Sequence, residues 1–307
     1  MSVTGLSPER AAWLRRDSER ISGALPPLLV EAERLVASTF HGVHGRRRSG
    51  PGETFWQYRS AQPGDGYAQI DWRRSARSDR LFIREMEWEA AETVLFWVDR
   101  ARSMQFASEY AREARSGRVT KADRASLLTL ALSVLLSRGG ERFGLIGTDA
   151  ERARTGEKQL ERVGAILSAD HAADGPDFGA PADFELPRAG RVVFLSDFMG
   201  PRDQVLPALE KAAGRGIGGV YVQVLDPVEE DFPFVGRTRF ESVGHSIQHE
   251  TDEARALRDR YRQRLAERRD DLSRAARRAG WQLLLHRTDE SPRKALLQLH
   301  AWLGGAR

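Results

Sequence analysis

The run Thr93-Val94-Leu95-Phe96-Trp97-Val98-Asp99 constrains what this chain can fold into more than any other stretch. It is unbroken in apolar and β-prone residues and lacks the polar alternation of a half-exposed strand. A run of that kind is a strand buried on both faces, as found in the middle of a parallel sheet. The carboxylate just past its end, Asp99, then stands at the crevice where open α/β sheets hold ligands. Two later runs repeat the arrangement: Arg191 to Ser196 leads into Asp197, and residues 219–225 lead into Asp226. All three are expected to be adjacent, parallel and almost fully buried.

After Asp99, helices and strands alternate. Helices are expected over Lys121–Arg138, closed by Gly139-Gly140, over Glu157–Ser168, and over 203–213, 253–279 and 292–303. Leu257, Tyr261, Leu265, Leu272 and Ala276 form the inner stripe of the long one. Further strands are expected over 142–148 and 281–286, and an irregular loop over 172–187. This alternation specifies an α/β fold, a mostly parallel Rossmann-like sheet with helices on both faces.

The first 91 residues read differently. Leu28, Leu29, Ala32, Leu35 and Val36 recur at helical spacing between Pro26-Pro27 and Gly42, giving one amphipathic helix expected to pack on the lobe that follows. The stretch His44 to Gly52 is rich in Arg and Gly but lacks the Lys-Ser/Thr ending of a phosphate loop. Strand-like runs at 54–60 and 67–72 flank the turn Pro63-Gly64-Asp65-Gly66, and 81–88 reads as another strand. Arg73, Arg74, Arg77 and Arg80 intersperse with Asp65, Asp71, Asp79 and the Glu85/Glu87/Glu89 series, which suits a small β-rich lobe laced with ion pairs. Asp71 and Arg77 are expected to tie its hairpin to neighbouring loops, with Trp72 mostly buried. The domains expected are thus 1–91, a helix with a β-rich lobe, and 92–307, the α/β sheet.

Several function classes fall away. The chain has no cysteine, which removes disulfide and thiolate chemistry. No apolar run approaches the roughly 18 residues of a spanning helix, and the charged N-terminus lacks a signal-peptide core, so a cytoplasmic protein is expected. The pI of about 9.7 reflects arginine rather than a strong positive excess. Lysine occurs only at Lys121, Lys158, Lys211 and Lys294, and the formal net charge is +4, so nucleic acid is not the expected partner. There is no Gly-x-Ser-x-Gly elbow, Walker loop or His-Glu-x-x-His. Gly214 to Gly219 follows a helix and precedes a strand, the reverse of a dinucleotide fingerprint, and His245 with His249 reads as a solvated pair lacking a third ligand. No catalytic residue or required cofactor is assigned, and the chain is not read as an enzyme.

Gly64-Asp65, Ile70-Asp71-Trp72, Ser75-Ala76-Arg77 and Glu85-x-Glu87, running directly into the first buried strand, resemble the signature of the family catalogued as domain of unknown function 58. Asp226-Pro227, Gly236 and Thr288-Asp289 also fit it. The resemblance implies a C-terminal domain similar to the von Willebrand factor A fold, whose first strand ends in the Asp-x-Ser-x-Ser of a metal-ion-dependent adhesion site. Hard divalent cations take oxygen ligands of that kind. Here the corresponding positions read Asp99, Ala101 and Ser103, with Asp197 as a second carboxylate and Asp174 to Phe178 where a threonine is expected. The site is therefore degenerate, with Asp99, Ser103 and Asp197 as its candidates; Mg²⁺ would bind weakly at most, and Asp99 is expected to pair with Arg100 or Arg102. The resemblance further implies a non-catalytic adaptor working with a MoxR-type AAA+ ATPase on client proteins. Asp65, Asp71, Trp72, Arg77 and Arg102 are its candidate contact or structural residues. The alternative is a divalent-metal-dependent ligand binder.

Overall fold

In the computed structural model, the described residues are 27–40, 55–62, 70–78, 80–86, 91–113, 117–169, 175–181, 190–214 and 217–305. The chain divides into two compact units, 42–92 and the remainder. Helix α1 (Pro27–Thr39) buries Leu29, Ala32 and Val36, one stripe at helical spacing, in the core of the larger unit. It therefore packs with the helices of the sheet domain, whereas the sequence had suggested the β-rich lobe.

The smaller unit pairs β1 (Phe55–Ser60) antiparallel with β2 (Phe82–Met86), with α2 (Trp72–Ser75) between them in sequence. The strand expected over 67–72 is not what forms at its described end. Ile70 makes a single antiparallel bridge to Ile83, and Asp71 then caps the one-turn helix by accepting the Arg74 N–H at 3.0 Å. Ser75 is the residue buried there, its hydroxyl donating to Asp71 O and accepting from Phe82 N. Trp72, at the first helical position, points outward and is 57% exposed, which corrects the expectation of burial. Asp71, expected to tie the hairpin to its neighbouring loops, caps this turn, and Arg77 is exposed. Asp65, Asp79, Glu87 and Glu89 lie outside the described residues.

The larger unit is a five-stranded, wholly parallel sheet. In chain order come β3 (Thr93–Val98), the two-residue strands β4 (Arg112–Glu113) and β5 (Gly117–Arg118), α3 (Lys121–Arg138), β6 (Arg142–Leu145), α4 (Glu157–Ser168), β7 (Arg191–Ser196), α5 (Arg202–Ala213), β8 (Gly218–Leu225), α6 (Pro227–Asp231), the hairpin β9 (Thr238–Glu241) and β10 (Gln248–Thr251), α7 (Arg258–Arg278), β11 (Gln282–Arg287) and α8 (Pro292–Gly305). The sheet order is β11-β8-β7-β3-β6. β3, β7 and β8 are adjacent, parallel and largely buried, as their unbroken apolar character requires.

Alternate residues of these strands feed two cores. Val94, Phe96, Val193, Leu195 and Val222 face α1, α3, α4 and α8. Leu95, Val192, Phe194 and Tyr221 face α5 and α7 together with Trp281. Helix α3 is apolar almost all round, because α1, α4 and α8 enclose it against the sheet. The sheet grows from β3 outward to β6 and then back through β7 to β8 and β11, so the direction of winding reverses between β3 and β7. That switch point opens a crevice beyond the strand ends. Asp99 and Asp197 flank it.

A buried ion cluster at the candidate functional site

Asp99, one residue past β3, is 1% exposed. Its Oδ1 accepts the Ala101 N–H at 2.9 Å and its Oδ2 accepts the Ser196 hydroxyl at 2.6 Å. Gly179 presses so closely on it that a Cβ there would lie 2.1 Å from Asp99 Oδ1. Burial, and next the charge of Asp197, push the Asp99 carboxyl up to about 6. Neither neighbouring arginine pairs with it. Arg100 reaches the carbonyls of Ile166 and Ala169, and Arg102 reaches Gly244 O, beside the Asp177 carboxylate. The expected Asp99–arginine ion pair is thus replaced by a hydroxyl and a backbone amide, because the arginine side chains leave the crevice while Asp99 turns into it.

The group that enters the crevice is Lys121, the first residue of α3. Its Nζ lies 2.8 Å from Asp197 Oδ2 and 2.6 Å from Glu229 Oε1, and its side chain is 1% exposed. The Phe106 ring centroid is 5.9 Å away. Burial works against the ammonium, but Asp197 and Glu229 outweigh it and hold the lysine above its ordinary pKa. Asp197 is itself buried, yet Lys121 and the Met199 N–H at Oδ1 hold its carboxyl below the usual range. Glu229 is raised by burial, which Lys121 only partly offsets.

The backbone places each member. Asp226 caps α6 in a box in which Glu229 Oε2 accepts the Asp226 N–H at 2.8 Å, which aims the other Glu229 oxygen at Lys121. Asp226 Oδ2 also accepts from Ser108 N, tying the loop after β3 to the end of β8. Gln223 donates to Asp197 O and accepts from Arg269, which pairs with Glu230. Ser103 contributes to the low pKa of Asp197, but its buried Oγ falls short of a hydrogen bond with any described partner.

This donor set does not fit the divalent cation that the von Willebrand resemblance implies. Both Asp99 oxygens are occupied, Asp197 and Glu229 each give an oxygen to an ammonium, and Ala101 has no hydroxyl. A hard cation needs about six oxygens around it, water included, and the side chains here are already engaged with one another and with the backbone. Among the described residues no group of three or more His, Asp or Glu is arranged as a metal site. His245 and His249 do not share a helical face: the first sits in a turn at φ 60° and bonds Glu241, and the second is in β10.

Sequence reasoning named Asp99, Ser103 and Asp197, which the fold does bring together, and missed Lys121 and Glu229. Lys121 left a faint trace. It is a cation in the first turn of a helix, where the macrodipole disfavours positive charge, so nearby carboxylates were required.

Beside the cluster lies a cleft of about 700 Å³, reached by Ser103 and Glu229 at its inner end. Its wall is aromatic: Phe232 packs on Phe234, Phe240 and Tyr261 at centroid distances of 5.2, 5.5 and 4.9 Å. Phe232 takes a left-handed conformation, φ 43°, to end α6 facing them. Tyr110 and Val243 stand exposed on the rim.

A family model described as "Protein of unknown function DUF58" matches residues 57–271. Uncharacterized proteins of Mycobacterium tuberculosis and Mycobacterium bovis are each 28% identical over 284 residues, spanning 89% of this chain and 86% of their own length. Among solved structures, the conserved hypothetical protein BatB from Bacteroides thetaiotaomicron is 16% identical, covers 70% of this chain and 100% of its own, and superposes with a TM-score of 0.32. An uncharacterized membrane-spanning protein from Vibrio fischeri is 14% identical, with 70% and 98% covered and a TM-score of 0.18.

Proposed function

The chain belongs to the DUF58 family, and we propose that it is a non-catalytic interaction protein, an adaptor whose larger unit is von Willebrand factor A-like and which works with a MoxR-type AAA+ ATPase on client proteins. The observation that carries this reading is the pairing of a closed ion cluster with an open aromatic cleft at the same end of the sheet. Lys121 is paired with Asp197 and Glu229, and Asp99 is held by Ser196 and Ala101, which supports a structural use of these groups. The cleft beside them has the size of a recognition site, and exposed Tyr110 and Val243 extend its apolar surface onto the rim. No helix of the described residues is long and apolar enough to cross a membrane.

The second reading, a divalent-metal-dependent ligand binder using Asp99, Ser103 and Asp197, has the occupied donor set against it. A pull-down with a MoxR-type ATPase, in ATP and with or without a chelator, tests both. Binding is expected to survive the chelator and to weaken as salt rises, since exposed charge mainly speeds association. Arg102→Glu, which disturbs the Asp177 corner of the cleft, and Arg74→Glu, on the smaller unit, are each expected to reduce it. No binding by the wild-type protein, or unchanged binding in both variants, removes this partner. Binding abolished by the chelator promotes the metal-dependent reading.

A further inference from the structure

We infer that the outer edge of β11 is the interface between two copies of this chain, which meet antiparallel about a two-fold axis and join their five-stranded sheets into one. The sheet has two edges, and the chain treats them differently. On β6 the outward residues are already answered: Phe143 exchanges backbone hydrogen bonds with Arg154 at 3.0 and 3.1 Å, and Leu145 N donates to Ala150 O at 3.0 Å. β11 pairs with β8 on one side and, among the described residues, with no strand on the other. The Thr288 N–H donates inward to Leu225 O, so alternate residues before it turn their backbone groups inward, and those of Leu283, Leu285 and Arg287 turn outward. An edge of unpaired N–H and C=O groups is a template for another strand, which proteins usually blunt with charge, proline or a bulge. Here the side chains between Gln282 and His286 are all leucine, and Leu285 is 46% exposed. Arg287, just beyond them, is drawn back to Asp231 and Asp289.

The groups flanking this edge suit a second copy. Across an antiparallel ladder, residues with outward backbone groups stand opposite one another and exchange two hydrogen bonds. A two-fold axis at Leu284 sets Leu283 of each copy opposite Leu285 of the partner subunit, and both leucines lie on the α7 face, where they close over one another. A groove of about 540 Å³ runs beside them between β11 and α7, bordered by Asp270 and Arg277. Helix α7 leads through Gly280 into β11 and so runs against it. Arg277, in its last turn, therefore stands toward the Gln282 end, and Asp270, about two turns earlier, toward the Leu285 end. The axis exchanges these ends and brings Asp270 of each copy to Arg277 of the partner subunit. Both side chains are exposed; among the described residues Arg277 bonds the Ser273 hydroxyl and Asp270 has no ion pair. One patch that matches itself in both apolar and charged positions is what a two-fold interface requires.

Sedimentation velocity of the full chain over a range of concentrations tests this, with a reversible dimer as the expected result. Leu285→Lys puts a charge on the edge, and Arg277→Glu sets two acidic groups against each other at both ends of the interface. Each is expected to weaken the dimer by roughly tenfold or more. Asp270→Arg combined with Arg277→Glu restores opposite charges and should recover the dimer, a rescue that a general loss of stability would not give. The chain has no cysteine, so Leu284→Cys introduces a single thiol. At the axis it faces its own copy in a pair without backbone hydrogen bonds, where Cα atoms are about 4.5 Å apart, within disulfide range. Oxidation with copper phenanthroline should therefore give a covalent dimer on a non-reducing gel. A chain that stays monomeric at its highest soluble concentration overturns the inference and leaves the edge to a foreign strand. A dimer unaffected by Arg277→Glu, or one that Leu284→Cys does not crosslink, has its interface elsewhere and overturns it too. None of these readouts involves the ATPase, so failure here and failure of the adaptor reading are distinguishable.

Discussion

Lys121 Nζ and Asp197 Oδ2 are 2.8 Å apart with both side chains 1% exposed, although 76 residues separate them in the chain. Taking two charges out of water is costly, and a buried pair returns that cost only when the geometry is close and the remaining donors and acceptors are satisfied. Here Met199 N and Glu229 supply those further contacts. Breaking such a pair from one side leaves the other charge stranded. Lys121→Met in metal-free buffer is therefore expected to lower the unfolding free energy by about 3–5 kcal/mol, measured by urea denaturation. A loss below about 1 kcal/mol, the range of surface ion pairs, would show that the pair is open to solvent.

Asp99 makes stability depend on pH in the sense opposite to most carboxylates. Its folded pKa of about 6 lies above the ordinary 3.8, so the folded state holds the proton more tightly than the unfolded chain. Its contribution is full below the unfolded value and is lost as pH rises through about 6. Asparagine cannot ionise, keeps an oxygen for Ala101 N and turns an amide toward Ser196 Oγ. The stability of Asp99→Asn relative to wild type should thus increase between about pH 4 and pH 7, by up to roughly 3 kcal/mol for a two-unit shift. Urea curves at several pH values give the difference directly. A flat difference would place Asp99 in an ordinary solvated environment.

Neighbouring glycines in β8 should respond in opposite ways to one methyl group. At Gly219 a Cβ would fall 2.2 Å from the ring of Trp281, which is 4% exposed and anchored by its indole N–H to Ile217 O. At Gly218 the nearest atom is Arg191 Cγ at 3.7 Å, an ordinary contact. Gly219→Ala is expected to destabilise by about 1–3 kcal/mol through overpacking. Gly218→Ala should be neutral or stabilise by up to about 1 kcal/mol through the unfolded chain. Equal melting shifts would mean that Trp281 can move aside.

Asp71 caps a single helical turn in the smaller unit. Asp71→Ala removes the acceptor for Arg74 N and is expected to cost about 0.5–2 kcal/mol, whereas Asp71→Asn or Asp71→Ser should recover most of it. Limited proteolysis near residues 70–80 reads the local loss. Equal protection in all four proteins would remove the cap as a source of order.

The sequence alone determined the architecture of the larger unit, because burial on both faces writes itself into consecutive residues. Thr93–Val98 and Arg191–Ser196 could only be interior strands, and Lys121–Arg138 between them could only be a covering helix. The carboxylates Asp99 and Asp197 were legible for the same reason, as the first charged residues after apolar runs. Local signals also misled. The aromatic run ending at Trp72 reads as strand, yet Asp71 offers its own backbone a cap and the chain turns into a helix instead. What only the tertiary structure decided is which charge answers which. Arg100 and Arg102 are next to Asp99 in sequence, but the bend after β3 sends them outward to backbone carbonyls. Lys121 and Glu229 are distant in sequence, and parallel strand order with two helix starts brings them to Asp197. Electrostatic partnership depends on distance through space and on desolvation, and a linear sequence specifies neither until the sheet has closed the crevice.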